Sequence, residues 1–263
     1  MKIIGLLSDF GLRDSYVSEM KAVILSICPE ATMVDISHEI RKFDVRMGAF
    51  VLASAARSFP KGSIFLAVVD PEVGSERASL IVESQRSLYV GPDNGLLMMS
   101  AFREGLRGVY KIDSRKYIKE SVSATFHGRD IFARVAGELA TGALPRNIGS
   151  QVSDYVAPGF RQPIIEKNSA SGEVLHVDDF GNIVTNIDAL HVEGIGLSAG
   201  RSATLMIGRK RLNAPFVRTY IEIPEGTVGC LIGSHGFFEI AMNRRNASRP
   251  VRAKSGSKVT VRA

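Results

Sequence analysis

Lys2-Ile3-Ile4-Gly5-Leu6-Leu7-Ser8-Asp9 is the stretch that decides the fold of this chain. Its uninterrupted apolar run is typical of a strand buried on both faces, and the run stops at the polar pair Ser8-Asp9. Residues 15–27, which follow, have apolar side chains at helical spacing instead. The chain therefore opens with a buried strand, a polar turn and an amphipathic helix, as in the first half of a βαβ unit.

The same rhythm continues beyond the first helix. Residues 32–36 and 63–69 are predicted strands, and residues 43–59 between them are a predicted helix. Strands that alternate with helices favour an α/β domain with a mostly parallel sheet and flanking helices. In such sheets ligands bind beyond the carboxyl ends of the strands, which is where Asp9 and Asp70 fall.

Farther along the domain, a hairpin is predicted at residues 80–91, and helices are predicted at 95–102 and 128–140. The chain changes character between residues 157 and 172, where Pro, Gly and Ser indicate a linker. We therefore predict an α/β N-terminal domain at 1–160, a linker at 161–172 and a C-terminal antiparallel β-barrel domain at 173–263. The short β-type runs that favour the barrel are residues 172–177, 183–187, 202–207, 218–223, 228–232, 237–243 and 258–261.

Composition restricts the class of protein. Hydrophobic residues make up 45% of the 263 positions and charged residues 23%, as in soluble globular proteins, and no apolar run approaches a membrane span. The two cysteines, Cys28 and Cys230, lie far apart and lack the spacing of metal ligands. We therefore expect a cytoplasmic protein without a membrane partner, a disulfide or a metal site.

The net charge of +6 is unevenly distributed. Residues 1–160 contain 19 Lys and Arg against 18 Asp and Glu, whereas residues 161–263 contain 14 against 9. The basic second half indicates either a solvated surface or a site that attracts an anion or nucleic acid. Aromatic residues are not interleaved with the basic ones, as they are in single-strand nucleic-acid binders, so a nucleic-acid partner is not expected.

Asp70, Arg77 and His127 are the candidate chemical residues. A carboxylate, a fixed positive charge and an imidazole that titrates near neutral pH can together hold and activate a water molecule. Each also has an ordinary alternative: a helix cap for the aspartate, a surface ion pair for the arginine and a structural role for the histidine. The set lacks a second acid to protonate a leaving group, so it suits a reaction that needs only an activated nucleophile.

Six short segments, unspecific one by one, become specific when they occur in order along nearly the whole chain. In that order they resemble the S-adenosyl-L-methionine (SAM) hydroxide adenosyltransferases, also called SAM hydrolases. The SAM-dependent fluorinase and chlorinase belong to the same family. The segments, with x for a position that does not carry the resemblance, are Ser8-Asp9-Phe10-Gly11, Asp70-Pro71-x-Val73-Gly74, Gly91-Pro92-Asp93-Asn94-Gly95, Phe126-His127-Gly128-Arg129-Asp130-Ile131-Phe132, Asp178-x-Phe180-Gly181-Asn182 and Ser234-x-Gly236.

The resemblance implies a fold, an assembly and a reaction. It implies an α/β domain, a β-barrel and a homotrimer in which SAM lies between the N-terminal domain of one subunit and the C-terminal domain of the next. It implies that water or hydroxide attacks ribose C5′ of SAM and gives adenosine and L-methionine, with SAM as the substrate and no cofactor. Asp70, Arg77 and His127 match the family's hydrolytic triad.

The resemblance also implies which residues contact the substrate. Phe43 falls where the halogenating relatives carry a tryptophan against the sugar. The other matches are Asp9 and Asp70 at the ribose, Asn182 and the backbone near Met242 at the adenine, and Asp14, Asp178 and Ser234 around the methionine. Phe126, Phe180 and Glu239 are further expected substrate-binding residues.

Two other functions are consistent with the resemblance. A SAM-dependent halogenase would normally carry a tyrosine–threonine pair where this chain has Asp70 and Val73, and a longer loop than residues 84–87. A non-catalytic SAM or adenosine sensor would not need the triad, which is intact. Water as the nucleophile is therefore the favoured interpretation, while the sequence leaves open which sulfonium epimer of SAM is used.

Overall fold

A computed structural model describes residues 2–118 and 121–263 of the protein. These residues form two compact units, Met1–Gly159 and Phe160–Ala263. In the described part of the chain, no helix combines the length and the apolar character that crossing a membrane requires.

The first unit is built on a seven-stranded mixed sheet with the strand order β2-β1-β3-β5-β4-β6-β7. The strands β2, β1, β3 and β5 pair in parallel, whereas β4, β6 and β7 pair with their neighbours in an antiparallel sense. The hairpin expected at residues 80–91 is confirmed as β4–β5. The strands are β1 (Ile3–Ser8), β2 (Thr32–Ser37), β3 (Ile64–Val68), β4 (Ser79–Ser84), β5 (Leu88–Pro92), β6 (Leu106–Ile112) and β7 (Gly149–Gln151).

Helices flank this sheet, as the sequence predicts. Met20 and Ile24 of the first helix pack with Ile4 and Leu6 of β1 in a core that is almost fully excluded from solvent. The segment expected to be one helix over 128–140 begins as a π-helix, Gly128–Ala133, before it becomes α-helical. The α-helices are α1 (Tyr16–Ile27), α2 (Val45–Ala56), α3 (Met98–Glu104), α4 (Arg134–Thr141) and α5 (Pro145–Ile148), and Arg115–Tyr117 is a 3-10 helix.

The second unit is an antiparallel, barrel-like sheet with the order β12-β11-β15-β9-β10-β14-β13, and β8 pairs with β9. An isolated bridge between Phe216 and Cys230 brings the two ends of this order together and nearly closes the barrel. Its strands are β8 (Ile164–Glu166), β9 (Ser169–Val177), β10 (Ile183–Asp188), β11 (Ser202–Ile207), β12 (Lys210–Pro215), β13 (Val228–Ile232), β14 (Phe237–Met242) and β15 (Lys258–Arg262), with helices α6 (Ala189–Gly194) and α7 (Ser248–Val251).

Two further predictions differ from the structure. Residues 164–166 and 169–172, inside the expected linker, are strands, because β8 pairs with β9 and β9 pairs with β15. The strand predicted at 218–223 is wrong: Tyr220–Glu222 is a 3-10 helix. Its apolar residues alternate as in a strand, but Ile221 is 74% exposed, so this alternation does not mark a buried sheet face.

Candidate active site

The sheet of the first unit brings Asp9 and Asp70 to the same edge. Ser8 and Val68 are register partners on the parallel strands β1 and β3, and the two aspartates follow just beyond the strand ends. The Asn94 side chain donates a hydrogen bond to the carbonyl of Val69 at 2.8 Å and so fixes the backbone next to Asp70. The predicted position of both carboxylates beyond the carboxyl ends of the strands is confirmed.

Arg77 and His127 reach Asp70 from two other parts of the chain. Arg77 precedes β4, whose first residues lie at this edge because β4 runs antiparallel to β5. His127 directly precedes the π-helix Gly128–Ala133, at its N-cap position. The two segments approach closely at Gly74, which has φ +84°, and a Cβ there would lie 2.5 Å from the carbonyl oxygen of Ala124. A side chain at position 74 would therefore push these segments apart.

The guanidinium of Arg77 holds the centre of this cluster. Its Nε donates to both carboxylate oxygens of Asp70 at 3.0 and 3.1 Å, and its Nη2 lies 2.8 Å from Nδ1 of His127. Its Nη1 donates to the carbonyl of Ala78 at 3.2 Å and to Oγ of Ser79 at 3.1 Å. Nη2 also donates to Asp70, so all five N–H groups are used inside the protein. Arg77 can therefore act on a bound molecule through its fixed charge and through the groups that it orients.

This contact also decides which nitrogen of His127 carries the proton. An arginine can only donate hydrogen bonds, so Nδ1 of His127 must accept from Nη2 of Arg77. The imidazole is then neutral, with its proton on Nε2, and it presents an N–H donor on the side away from Arg77. Partial burial and the charge of Arg77 lower the pKa of His127, while Asp70 and Asp130 oppose this shift. Both effects favour the neutral ring that the geometry requires.

A cleft of about 560 Å³ lies beside Asp70. Of the predicted site residues, Asp9, Asp14, Phe43 and Phe126 line it together with Asp70. Phe43 is 69% exposed and adopts a left-handed backbone conformation with φ +65°, which is uncommon for a bulky residue. Arg77 and His127 do not line this cleft themselves and are joined to it through Asp70.

Three charged residues that were not predicted as site residues also line this cleft: Glu19, Lys42 and Arg129. Four carboxylates line it, those of Asp9, Asp14, Glu19 and Asp70, against two cations, Lys42 and Arg129. Arg129 donates to Glu19 at 2.8 Å and to Asp130 at 2.7 Å, and its guanidinium lies 5.1 Å from the ring centre of Phe126. The Ser15 hydroxyl and Arg129 together lower the pKa of Glu19. An excess of carboxylates suits a positively charged ligand.

The remaining predicted residues lie in the second unit. The Asp178 carboxylate accepts hydrogen bonds from the backbone N–H of Asn182 at 2.8 Å and from its side chain at 3.0 Å. The resulting turn leaves Phe180 81% exposed. The pairing of Ile183 with Ile240 places Asn182 near Met242, at the same end of the two antiparallel strands β10 and β14.

Ser234 and Glu239 lie elsewhere on the same hairpin. Ser234 is in the turn between β13 and β14, at the opposite end of β14 from Met242. Glu239 is almost fully buried within β14 and accepts a 2.6 Å hydrogen bond from the hydroxyl of Tyr220. Burial raises the pKa of Glu239 despite this hydrogen bond, and the charge of Asp178 acts in the same direction. Tyr220 was missed as a partner because its segment was predicted to be an ordinary strand.

Among the described residues, no group of three or more His, Cys, Asp or Glu side chains is arranged to hold a metal ion. The two cysteines are both free and buried.

The whole chain is similar in sequence to several curated proteins. Curated (R)-S-adenosyl-L-methionine hydrolases from Thermus thermophilus and Methanocaldococcus jannaschii are 35% and 37% identical to the chain, over 98% and 95% of it and 99% and 91% of their own lengths. A fluorinase from Nocardia brasiliensis is more distant, at 26% identity over 99% of the chain and 96% of its own length.

A solved structure and two family models agree with these relatives. The crystal structure of an uncharacterized conserved protein from Thermotoga maritima superposes with a TM-score of 0.94 at 35% identity, covering 99% of this chain and 100% of that one. The models for the SAM hydroxide adenosyltransferase N-terminal and C-terminal domains match residues 4–149 and 172–260. Since the two models together span most of the sequence, the chain belongs to the SAM hydroxide adenosyltransferase family.

Proposed function

We propose that this protein hydrolyses S-adenosyl-L-methionine to adenosine and L-methionine, with water attacking ribose C5′. The observation that carries the proposal is the Asp70–Arg77–His127 network beside a cleft in which carboxylates outnumber cations. The names of the hydrolases to which the chain is 35% and 37% identical support the same reaction. Those names specify the (R) sulfonium epimer, which we propose as the working substrate.

The leaving group explains why the cluster contains no second acid. In this reaction an oxygen–C5′ bond forms, the C5′–sulfur bond breaks, and the bonding electron pair stays on sulfur. The sulfonium thereby becomes the neutral thioether of methionine and needs no proton. The water must lose a proton, and its pKa in bulk is about 15.7, so activation of the nucleophile is the difficult part. None of these steps requires a metal or another cofactor.

The geometry suggests a role for each member of the triad. The Asp70 carboxylate, held by Arg77, is the group able to accept the proton of the attacking water. His127 cannot accept it at Nε2 in the observed arrangement, because Nδ1 accepts from Arg77 and Nε2 carries the ring proton. The Nε2–H group instead orients the water by donating to it, and the charge of Arg77 stabilises developing hydroxide. Holding this water in line with the C5′–sulfur bond lowers the barrier further.

The direct test is to incubate the protein with each SAM epimer in ¹⁸O-water, with and without a chelator, and to identify the products by mass spectrometry. We expect adenosine labelled at its 5′-oxygen, faster from the (R) epimer and at the same rate with the chelator. Intact SAM for both epimers would exclude the reaction. Unlabelled adenosine would show that the nucleophile is not water.

A halogenase is the second candidate, because a fluorinase is a more distant relative. Asp70 and Val73 both line the cleft, and Asp70 places a negative charge beside the position that a halide would occupy. We therefore expect an excess of chloride to yield little 5′-chloro-5′-deoxyadenosine beside adenosine, as measured by chromatography. The halogenated nucleoside as the main product would assign the chain to the second candidate instead.

The protonation state of His127 predicts an acid limb in the pH–rate profile. The lowered pKa keeps the ring neutral above its ordinary value of about 6.5, and protonation on the acid side would turn Nδ1 into a donor facing Arg77. We expect kcat/KM to be level from pH 7 to 8 and to fall below an inflection that lies under about 6.5. A His127→Gln variant should be slower and should lack this inflection. An inflection that persists in the variant would assign the limb to another group.

We further propose a cytoplasmic homotrimer whose sites each combine the first unit of one subunit with the second unit of the next. The division of the predicted substrate contacts between the two units supports this arrangement, as does the family resemblance. Mixing inactive Asp70→Ala and Asn182→Ala chains should then restore part of the activity, since some mixed sites contain two intact halves. The control is each variant alone at the same concentration. No recovery, despite mixed trimers demonstrated by native mass spectrometry, would place each site within a single chain.

A further inference from the structure

A hydrogen-bond chain that is buried at Ser8 and His38 and ends at Asp35, whose side chain is 42% exposed, adjoins the cleft residue Asp9 and lies outside the residues to which the proposed mechanism assigns a role. Oγ of Ser8 lies 2.8 Å from Nδ1 of His38, and Nε2 of His38 lies 3.1 Å from Oδ1 of Asp35. Ser8 is fully buried and His38 is 3% exposed. Asp35 also accepts a hydrogen bond from Nζ of Lys21 at 2.7 Å, which anchors the outer end of the chain.

The chemistry of the partners restricts the direction of these hydrogen bonds. The carboxylate of Asp35 can only accept, so Nε2 of His38 donates to it, and in the neutral ring Nδ1 then accepts from the hydroxyl of Ser8. Oγ of Ser8 in turn accepts from the backbone N–H of Phe10 at 3.3 Å. These are the residue types of a serine hydrolase triad, but the serine is inaccessible, so the chain cannot supply a nucleophile.

Two backbone segments on this side of the cleft are hydrogen-bonded to residues of this hydrogen-bond chain. The carbonyl of His38 accepts from the N–H of Gly11 at 2.7 Å, and the carbonyl of Ser8 accepts from the N–H of Ile40 at 3.4 Å. Residues 8–11 and 38–40 are thereby held against each other. The first segment contains Asp9, and the second continues to Lys42 and Phe43.

Two more hydrogen bonds connect these paired segments at residues that line the cleft. Oδ2 of Asp9 accepts a 2.9 Å hydrogen bond from the backbone N–H of Phe43, whose φ of +65° is unfavourable for a residue with a large side chain. Lys42 also donates through Nζ to the carbonyl of Asp9. A strained conformation of this kind persists only where its surroundings fix it, and here the surroundings are Asp9 and the paired segments.

We infer that His38, together with Ser8 and Asp35, is a positioning residue that sets the Asp9 carboxylate and the Phe43 ring for substrate binding. The inference rests on the proposed function for the identity of that substrate. It predicts a loss of affinity for SAM with little change in the rate of the chemical step. The reason is that the hydrogen-bond chain is connected to Asp9 and Phe43 and not to Arg77 or His127.

The test is a double-mutant cycle measured with (R)-SAM. We expect His38→Ala and Ser8→Ala each to raise KM by about tenfold with kcat within about threefold, and His38→Asn, which keeps an acceptor near Nδ1, to recover part of the loss. In an Asp9→Ala background the effect of His38→Ala on KM should disappear. Ser8→Ala removes one atom and guards against a variant that fails to fold. His191→Ala, which removes another histidine paired with an aspartate, at 3.0 Å in the second unit, is the matched control with no expected change in KM.

The tautomer is tested separately from catalysis. Nitrogen-15 NMR of the wild-type protein should place the His38 proton on Nε2, with Nδ1 unprotonated, whether or not SAM is hydrolysed. Additive effects of His38→Ala and Asp9→Ala on KM, or a proton on Nδ1, would overturn the inference. A wild-type protein with the expected tautomer that leaves both SAM epimers intact would instead overturn the proposed function.

Discussion

Replacing Arg77 with alanine should lower kcat for SAM hydrolysis by about 10²- to 10³-fold, the usual cost of losing one preorganised electrostatic partner. KM should change much less, because every N–H group of Arg77 bonds within the protein and none is directed to the substrate. Two effects combine in this variant: the positive charge beside the nucleophile is lost, and Asp70 and His127 lose the group that orients them. Steady-state kinetics with (R)-SAM separates kcat from KM.

Stability must be measured beside activity in this variant. The Asp70 side chain is 5% exposed, and without Arg77 its charge would be buried with no counterion, which typically destabilises a protein by about 3–5 kcal/mol. Arg77→Lys is the matched variant, since it keeps the charge but cannot reproduce the forked contacts to Asp70 and His127. We expect it to unfold at a temperature nearer to the wild type and still to lose at least about tenfold in kcat. A lysine variant with wild-type kcat would show that the positive charge alone is enough for catalysis. The forked contacts of Arg77 to Asp70 and His127 would then have only a structural role.

The parts of this architecture that repeat along the chain could be predicted from the sequence. The continuous apolar run before Ser8 and the one before Asp70 mark strands buried on both faces, so their carboxyl ends had to meet at one sheet edge. The glycine-containing turns of the second half likewise predicted an antiparallel barrel. In both units the signal is periodic hydrophobicity, which follows directly from burial.

The parts that depend on long-range contacts could not be predicted in this way. β6, β7, β8 and β12 were not predicted from the sequence, and each is recognised in the structure by its pairing with neighbouring strands. Arg129 belongs to one of the six segments that carry the family resemblance, but its contact with Glu19 joins residues 110 positions apart and could not be predicted from that segment.

The protonation state of His127 is another property that cannot be predicted from the spacing of residues along the sequence. Its tautomer follows from a single distance to Arg77, 50 positions earlier in the chain. The sequence alone allowed His127 either to accept a proton or to orient the water. The geometry favours the second role and leaves proton acceptance to Asp70.

That assignment makes Asp70→Asn the sharpest test of the mechanism. An asparagine keeps a carbonyl oxygen that can accept from Arg77, but it is not basic enough to take a proton from water. We expect kcat to fall by about 10²- to 10⁴-fold, the range for a lost general base, while KM for SAM changes by less. Asp9→Asn is the matched control, since it removes a carboxylate from the same cleft but from the proposed ribose contact, so it should raise KM more than it lowers kcat.

The same substitution also tests why water is preferred over halide. Asp70→Asn removes the negative charge next to the proposed nucleophile position and leaves Arg77 with no counterion among the bonds that it makes there. Chloride should therefore compete better, and the ratio of 5′-chloro-5′-deoxyadenosine to adenosine should rise above that of the wild type even as total turnover falls. A variant that keeps both its kcat and its product ratio would show that Asp70 neither takes the proton nor excludes halide, and the proton would then have to leave by way of His127 in a ring orientation different from the one observed.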